Sequence, residues 1–366
     1  MKKLFLLFLI SIFFLGGTVL GAEEGKEIEE QSQKFDIDIK TAVDMVLKEN
    51  LDLKIASLNL KKAELEYKKR EASNLSSQSQ YSEKEAEYSL ASARKNYEDT
   101  YNNLIHQVID IYSKVWLQEL DLEIKEKQVQ LEKKLLKEAR AQREIGEIGR
   151  IDLLEAENAY KDAQFNLETS RDNNVQYLRE LQTVLGIGKK DFKLTAFKAP
   201  HVWDITEEKS LEQALNNSEE LKLQNKALEL ASLDLKKAEV TASRLDREIK
   251  EIELKKTEIS KKNTRETIKN NSRDQFYQFR QSQKQMNLKE ERLQEAREKY
   301  NLQQQQYEAG LITSTEVLQY EVNMKQAQYN YLSALADYYL REFSLREVMN
   351  MEIDVAEVFT YEDSQK

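Results

Sequence analysis

The sequence predicts an all-α protein built from two long antiparallel helical hairpins. Its 366 residues include one proline, nine glycines and no cysteine, and a third of them are charged. Such scarcity of turn formers is typical of long helices with few corners. A helix–turn–helix pattern also occurs twice, because aligning Gly146 with Gly310 places Ile148 on Ile312 without a gap. We therefore interpret the two hairpins as an internal repeat.

Composition argues against several kinds of chemistry. Without cysteine the chain has no disulfide framework, no thiolate nucleophile and no thiolate metal ligand. Its two histidines, His106 and His201, are far apart in the sequence, which argues against a histidine metal site or a catalytic triad. The net charge of −10 argues against binding to nucleic-acid phosphates. We therefore predict no enzyme activity, no catalytic residue, no cofactor and no metal.

The N-terminus is typical of an exported protein. Two lysines precede the almost wholly apolar residues 4–15, and small residues follow at 18–22. This pattern predicts a signal peptide at residues 1–22. An uncleaved anchor is the alternative, since residues 4–22 approach the ~20 residues that span a bilayer. Either way, the body of the chain is expected outside the cytoplasm.

The remaining chain divides where its composition changes. A polar stretch at the start is predicted to be a flexible arm, and the proline marks a linker between two helical units. The predicted units are an arm at 23–34, a first helical repeat at 35–190, a linker at 191–204, a second helical repeat at 205–350 and a C-terminal tail at 351–366.

The first repeat begins with an apolar–polar alternation at residues 35–39, which predicts a short strand or an extended lead-in. Thr41 resembles an N-cap for a helix that ends near Ser73. Residues 82–145 contain no helix breaker. At ~1.5 Å per residue, we expect a helix on the order of 95 Å long there.

The chain then reverses at residues 146–150, and the next helix runs to Leu185 before Gly186, a typical C-terminal stop. A second short strand is predicted at residues 192–197. The second repeat follows the first, with Leu221 168 residues after its counterpart Leu53.

The long run of the second repeat ends at Gly310, and the final helix ends near Met349. The position of the turn within the charged residues 244–275 stays open.

Helix lengths suggest how these elements stack. The helices at 151–185 and 210–243 together match the length of the helix at 82–145. We therefore predict that these two shorter helices lie end to end beside the long one. By the same argument, the helices at 40–73 and 315–349 are predicted to lie beside the second long run.

Three sequence patterns carry a resemblance to a known family. They are the lead-in FDIDIKTAVDMVLKENLDL, its repeat SLEQALNNSEELKL and the tip YEAGLITSTEVLQYEVNMKQAQYNYLSALADYYL. Over nearly the whole exported chain they resemble the TolC-type outer-membrane efflux protein family. The resemblance implies a homotrimer that closes a twelve-helix α-barrel. It also implies two partners, a periplasmic adaptor (a membrane fusion protein) and an inner-membrane transporter. The location that it implies is the cell envelope, in the periplasm or associated with the outer membrane.

The resemblance further implies that both hairpin tips contact the adaptor. An alternative is that the two tip glycines are ordinary helix C-caps. The implied contact residues are Gly146, Glu147, Ile148, Gly149, Ala309, Gly310, Leu311 and Ile312.

In this family, acidic residues six and nine positions after the second-repeat glycine narrow the tunnel near the tips. Glu316 occupies the first position, whereas Gln319 departs from the pattern at the second, which implies a weaker electrostatic ring. Asp152 and Glu155 hold the same places in the first repeat, and Tyr307 matches a position tied to gating. The alternative for the carboxylates is a helix N-terminal position favoured by the macrodipole.

The sequence departs from the family at the opposite end of the hairpins. There the family inserts two strands per repeat, and a spanning strand needs ~9–11 alternating residues. The corresponding stretches, SNLSSQSQYS and TASRLDREIK, are too short and too polar. We therefore predict a helical chain without these strands, which puts direct insertion in an outer membrane in doubt.

Two functions remain open at this point. The first is an efflux or export conduit component, which the repeated tip pattern favours. The second is a non-transport coiled-coil scaffold or binding protein of the cell envelope, which the missing strands favour.

Overall fold

The structure is a computed structural model that describes residues 35–77, 79–188, 191–198 and 203–351. The predicted signal peptide and the predicted arm lie outside the described residues, as does the tail after Met351. Within the described ranges the chain is almost wholly helical, which confirms the predicted fold class.

The elements follow one another as two short strands and eight helices in the described part of the chain. In order they are β1 (Phe35–Ile37), α1 (Ile39–Glu49), α2 (Leu51–Ser77), α3 (Gln80–Glu144), α4 (Arg150–Leu185), β2 (Phe192–Leu194), α5 (Glu207–Asn217), α6 (Glu219–Thr241), α7 (Arg244–Glu308) and α8 (Ser314–Val348).

The two halves of the chain match closely in length. Helices α3 and α7 both have 65 residues, and α1 and α5 both have 11. Helix α2 has 27 residues and α6 has 23, a difference of four. This difference explains why corresponding positions lie 168 residues apart before α3 and 164 residues apart after it.

The first helix starts earlier than the sequence predicts. Asp38, not Thr41, is the N-cap of α1, and its carboxylate accepts a hydrogen bond from the Thr41 backbone amide at 2.7 Å. The prediction of Thr41 is wrong because Thr41 donates its amide hydrogen to the N-cap, whereas Asp38 is the N-cap. Thr206 caps α5 at the matching position by accepting from the Lys209 amide.

The predicted single helix from Thr41 to Ser73 is wrong, because Asn50 divides it into α1 and α2. The Asn50 amide still donates to the Val46 carbonyl oxygen, while its side-chain oxygen accepts from the Leu53 amide at 2.9 Å. One residue thus ends one helix and begins the next. Ser218 divides α5 from α6 in the same way, and its side chain accepts from the Leu221 amide.

The helices lie side by side in two levels around the long α3 and α7. We call the level nearest Ser79 and Ser243, the N-caps of α3 and α7, the upper half. The level nearest the turns at 145–149 and 309–313 is the lower half. Neighbours in the upper half follow the order α2, α3, α6, α7, and in the lower half α4, α3, α8, α7.

The predicted stacking is therefore wrong. Helix α4 lies below α1 and α2 beside α3, and α8 lies below α5 and α6 beside α7. The Asn217 side chain, at the end of α5, donates to the Met349 carbonyl oxygen at the end of α8. Short turns join both shorter helices of a repeat to the ends of the same long helix, so both remain beside it. Length matching could not reveal this.

The hydrophobic core lies at the equator, where the two levels meet. Strands β1 and β2 pair in parallel there, with Ile37 opposite Leu194, which confirms both predicted strands in a shortened form. The Tyr112 hydroxyl from α3 reaches the carbonyl oxygens of Ile37 at 2.9 Å and Thr195 at 2.6 Å. One buried hydroxyl therefore joins the long helix to both strands.

Aromatic side chains pack together beside the strands in the equatorial core. The Phe197 ring lies 5.0–5.7 Å from the rings of Tyr112, Trp116 and Tyr339, measured between centroids. The Tyr339 hydroxyl from α8 donates to the Lys198 carbonyl oxygen at 2.8 Å. Burial raises the pKa of both Tyr112 and Tyr339 above the usual tyrosine range. The equator thus packs helices of both repeats into one core.

A serine caps the start of each long helix at the top of the upper half. The Ser79 hydroxyl accepts from the Ser82 amide at the start of α3, and the Ser243 hydroxyl accepts from the Asp246 amide at the start of α7. As the sequence predicts, the described residues within 73–82 and 241–250 contain no strand. No helix in the described ranges is both long and apolar enough to cross a membrane.

Candidate functional site: the paired tips

The first tip reverses the chain through a left-handed glycine. Gly146 has φ of +80°, and its amide donates to the Arg143 carbonyl oxygen at 3.2 Å. The Glu147 amide donates to the Gln142 carbonyl oxygen at 2.8 Å. This pair of bonds is a Schellman motif, which satisfies two carbonyl groups at the end of α3.

The second tip repeats this geometry at the end of α7. Gly310 has φ of +73°, and its amide donates to the Tyr307 carbonyl oxygen at 2.8 Å. The Leu311 amide donates to the Gln306 carbonyl oxygen at 2.9 Å. Each glycine directly follows the C-cap residue of its helix, Ile145 or Ala309, and ends that helix, as the alternative interpretation held. Contact of the tips with an adaptor stays a prediction.

Two predicted aperture residues, Asp152 and Glu316, lie in the first turn of the helix that follows each tip. The Thr313 amide donates to the Glu316 carboxylate at 2.7 Å, and the Glu316 amide donates to the Thr313 hydroxyl at 3.2 Å. These hydrogen bonds hold the pKa of Glu316 below its usual value. In the first tip the Gly149 amide donates to the Asp152 carboxylate at 2.7 Å. Both carboxylates therefore stabilise the ends of their own helices.

The other predicted aperture residues lie on the exposed surface near the tips. Glu155 is exposed on α4. The side-chain amide of Gln319 donates to the Asn323 side-chain oxygen at 3.1 Å. The Tyr307 side chain is about half exposed. In this described part of the chain, the hydrogen bonds of these aperture residues go to neighbours within their own tip or helix and not to one another.

Both tips expose large apolar side chains. Ile145, Ile151 and Leu311 are each more than 70% exposed. Leu154 is also exposed, and Ile148 is only partly covered. A cluster of this kind marks a contact surface more often than scattered single residues do.

Sequence reasoning identified the tip residues Ile148, Leu311 and Ile312 but missed Ile145, Ile151 and Leu154. The available signal was their position directly beside the turn, where a long helix has no further neighbour to cover them.

Polar contacts tie the second tip to the first hairpin. The Thr315 hydroxyl donates to the Glu138 carboxylate at 2.6 Å, and the Lys134 ammonium donates to the Ser314 hydroxyl at 2.9 Å. Further up the same seam, Lys127 pairs with Glu321 at 2.6 Å. Sequence reasoning missed these pairs because each joins residues more than 170 positions apart.

Residues 210–351, from within α5 to just past the end of α8, match the family model described as outer membrane efflux protein. The resemblance predicted from the sequence is thereby confirmed over most of the second repeat. This family is one of channels, not of enzymes.

Solved channel structures share the fold over most of their length. The CmeC outer membrane channel of Campylobacter jejuni is 12% identical, with a TM-score of 0.64 over 89% of this chain and 87% of that one. The outer membrane protein VceC of Vibrio cholerae is 12% identical, with a TM-score of 0.60 over 86% of this chain and 97% of that one.

The transmembrane channel protein CusC is 14% identical, with a TM-score of 0.61 over 87% of this chain and 94% of that one. At such identities the likeness shows the fold alone. No curated protein sequence matches this chain.

Proposed function

We propose that this protein is the envelope conduit of an efflux or export system. Three copies close a helical tunnel, and an inner-membrane transporter drives cargo into it. A periplasmic adaptor joins the two by contacting the tunnel at its tips. The chain reaches the envelope by export through the signal peptide at 1–22, and its helical repeats at 35–190 and 205–350 form the wall.

The repeated tip is the observation that carries this proposal. Two turns of the same geometry stand at the lower ends of the two hairpins, and each presents an exposed apolar side chain, Ile145 or Leu311. A rod that serves only as a spacer has no need for two matching ends of this kind. Three copies would present six such turns in a ring, which suits a multivalent partner.

The tunnel would narrow just above these tips. In a trimer, Asp152, Glu155 and Glu316 from each copy would surround the opening with negative charge, beside Tyr307. Gln319 carries no charge and weakens that ring in the second repeat. The capping hydrogen bonds of Asp152 and Glu316 suit this role, because they fix both carboxylates at their helix starts.

The test is dye export from cells that carry a deletion of the gene, complemented with variants. Changing Ile145, Ile151 and Leu311 together to serine should abolish export while the purified protein keeps its helical spectrum and oligomeric state. Val240→Ser, at the upper turn, is the matched control, since it also removes an exposed apolar side chain. Normal export by the triple variant would contradict adaptor contact at the tips.

The same cells separate the conduit from the scaffold. If the deletion strain exports every tested dye and peptide normally, while the envelope loses its regular spacing in electron micrographs, the scaffold is correct and the conduit is wrong.

A further inference from the structure

One short segment of α7 carries a strong positive charge in an otherwise acidic protein. Residues 255–265 contain one acidic and five basic side chains, whereas the whole chain has a net charge of −10. The basic residues are Lys255, Lys256, Lys261, Lys262 and Arg265. The matching segment of α3, residues 91–101, contains two basic and two acidic side chains. Because both segments are helical, the extra charge on α7 is not needed to build the fold.

This segment lies between ion pairs but takes part in none within the described ranges. Above it Lys250 pairs with Asp234, and below it Lys269 pairs with Glu266, both at 2.8 Å. Between these pairs, none of the five basic side chains forms an ion pair with a described residue. Like charges four residues apart, as at positions 261 and 265, destabilise a helix. The fold therefore leaves this positive charge without an ion-pair partner.

Three of these basic side chains line a cavity beside the break between α5 and α6. They are Lys261, Lys262 and Arg265. The cavity has a volume of about 420 Å³, within the roughly 300–1,000 Å³ that is usual for small-molecule sites in proteins. A cationic wall of α7 thus faces a space large enough for a small ligand.

The other side of the cavity adds uncharged hydrogen-bond donors. Asn216, at the end of α5, and Asn225, on α6, are both exposed lining residues, and each side-chain amide has two N–H donors. Lys222 also lines the cavity but pairs with Glu219 at 2.7 Å. Glu258 is the one acidic side chain among the described lining residues. The lining therefore favours an anion that also carries polar groups.

The first repeat shows different residues at the equivalent positions. When α3 is aligned with α7 residue by residue, Tyr97 stands at the position of Lys261 and Tyr101 at that of Arg265. The two tyrosine rings lie 6.4 Å apart between centroids and pack against the equatorial core. The second repeat has cations in place of these apolar contacts. Since burial of apolar area stabilises the fold, this exchange favours a binding role over a structural one.

We propose that this cavity binds a sugar phosphate from solution. The planar guanidinium of Arg265 fits two phosphate oxygens, and the ammonium groups of Lys261 and Lys262 add positive charge beside it. The asparagine amides suit the hydroxyl groups of a sugar, which a bare phosphate ion lacks. The inference goes beyond the conduit function and does not depend on it, since one copy supplies every lining residue.

The height of the cavity favours a soluble phosphate over a lipid head group. Lys261 stands 18 residues below Ser243, the N-cap of α7, which corresponds to ~27 Å along the helix. A flat bilayer that touches the top of the upper half therefore does not reach the cavity.

The test is calorimetric titration of the purified protein with glucose 6-phosphate at about 0.15 M salt, where charges more than ~8 Å away are largely screened. Binding should saturate, inorganic phosphate should bind more weakly, and glucose should not bind. Lys262→Gln with Arg265→Gln should weaken binding by about tenfold or more. Both side chains are exposed, so the helical spectrum should stay unchanged. No binding by the wild type, or equal binding of inorganic phosphate, would overturn the proposal.

A matched control removes the same charge from the same helix outside the cavity. Lys255→Gln with Lys256→Gln lowers the net charge equally, but neither side chain lines the cavity. This variant should bind glucose 6-phosphate within about twofold of the wild type, because the distant charges are screened. Equal weakening in the two double variants would indicate general electrostatic attraction and would overturn the assigned site.

Exchange of residues between the repeats gives a second readout. Lys261→Tyr with Arg265→Tyr introduces the residues of the first repeat and should abolish binding with an unchanged helical spectrum. Binding that survives this exchange would overturn the role of the two cations. Because these titrations use the purified protein alone, a failure of export leaves their outcome unchanged.

Flotation with phosphatidylglycerol vesicles tests the source of the phosphate. Lys262→Gln with Arg265→Gln should leave the fraction of protein that floats with the vesicles unchanged. If this double variant floats far less than the wild type, the cavity binds a lipid head group, and the soluble source is wrong.

Discussion

The equator and the tips of this molecule are held together by different means. At the equator, Tyr112, Phe279 and Phe343 are completely buried, and side chains from both repeats and both strands meet. At the tips, Ile145 and Leu311 are mostly exposed, and backbone hydrogen bonds within a few residues fix each turn.

This difference separates the residues that stabilise the fold from the residues that are exposed to another molecule. Burial of apolar area dominates folding energy, so the equator supplies most of the stability of the described chain. The tips keep their shape through local capping and leave their side chains free for another molecule. We expect mutations at the equator to act on folding and mutations at the tips to act on function.

The largest expected effect is at the equatorial core. Phe343→Ala should lower the free energy of unfolding by about 3–5 kcal/mol, because it leaves a cavity in the completely buried equatorial core. Leu311→Ala, which also removes an apolar side chain, should change it by less than about 0.5 kcal/mol. Urea denaturation followed by helical signal measures both. Equal effects would remove the distinction between the two regions.

A smaller effect is expected from one buried hydroxyl. Tyr112→Phe should lower the free energy of unfolding by about 1–3 kcal/mol, since the buried Ile37 carbonyl oxygen and the Thr195 carbonyl oxygen both lose the hydroxyl that contacts them. Tyr277→Phe is the control, because its hydroxyl binds Glu207 at an exposed position. The control should cost less than about 1 kcal/mol in the same denaturation experiment. If Tyr112→Phe leaves the free energy of unfolding unchanged, apolar packing alone holds the strands against α3.

At the tips, the conformation of the glycine sets the effect. Gly310→Val and Gly146→Val should each cost about 1–2 kcal/mol, because a left-handed backbone brings Cβ too close to the next carbonyl oxygen. Gly149→Ser is the control, since Gly149 has an extended backbone and stands at an N-cap, where serine is favoured. Thermal melting should show the control at or above the wild type. A lower melting temperature for Gly149→Ser would mean that close packing, and not a positive φ, determines which residues the tip tolerates.

The smallest effect concerns the second capping box. The pKa of Glu316 is lowered, so its carboxylate stabilises the fold above the ordinary glutamate pKa of about 4.3 and loses this effect as pH falls through the lowered value. Glu316→Gln should therefore melt slightly lower than the wild type at neutral pH. The two melting temperatures should converge in acid. A gap that persists at low pH would contradict a role for the ionised carboxylate.

Signals that are local in the sequence predicted most of the fold. An unbroken helical run gave α3, and the matched glycines gave both tip turns and the end of α7. The start of α7 at Arg244 stayed open, because the charged residues 244–275 carry no clear turn signal. The breaks at Asn50 and Ser218 were missed, because each depends on one side chain accepting a backbone amide. The stacking of α4 below α2 was missed because helix lengths alone fit more than one arrangement.

The candidate site was only partly predictable for a similar reason. The tip residues around Gly146 and Gly310 followed from the repeat, but the apolar residues that flank them did not. The pairs Thr315–Glu138 and Lys127–Glu321 depend on which helices become neighbours, and sequence periodicity does not contain that information. Asp152 and Glu316 were expected at helix starts or at an aperture, and one copy of the chain shows the first role.

The central claim is that copies of this chain close a hollow helical wall. The most direct test is the oligomeric state of the purified protein at micromolar concentration, measured by sedimentation and followed by averaged electron micrographs. We predict three copies in a long particle with an open axis. A strict monomer, or a solid rod with no axial channel, would contradict the account.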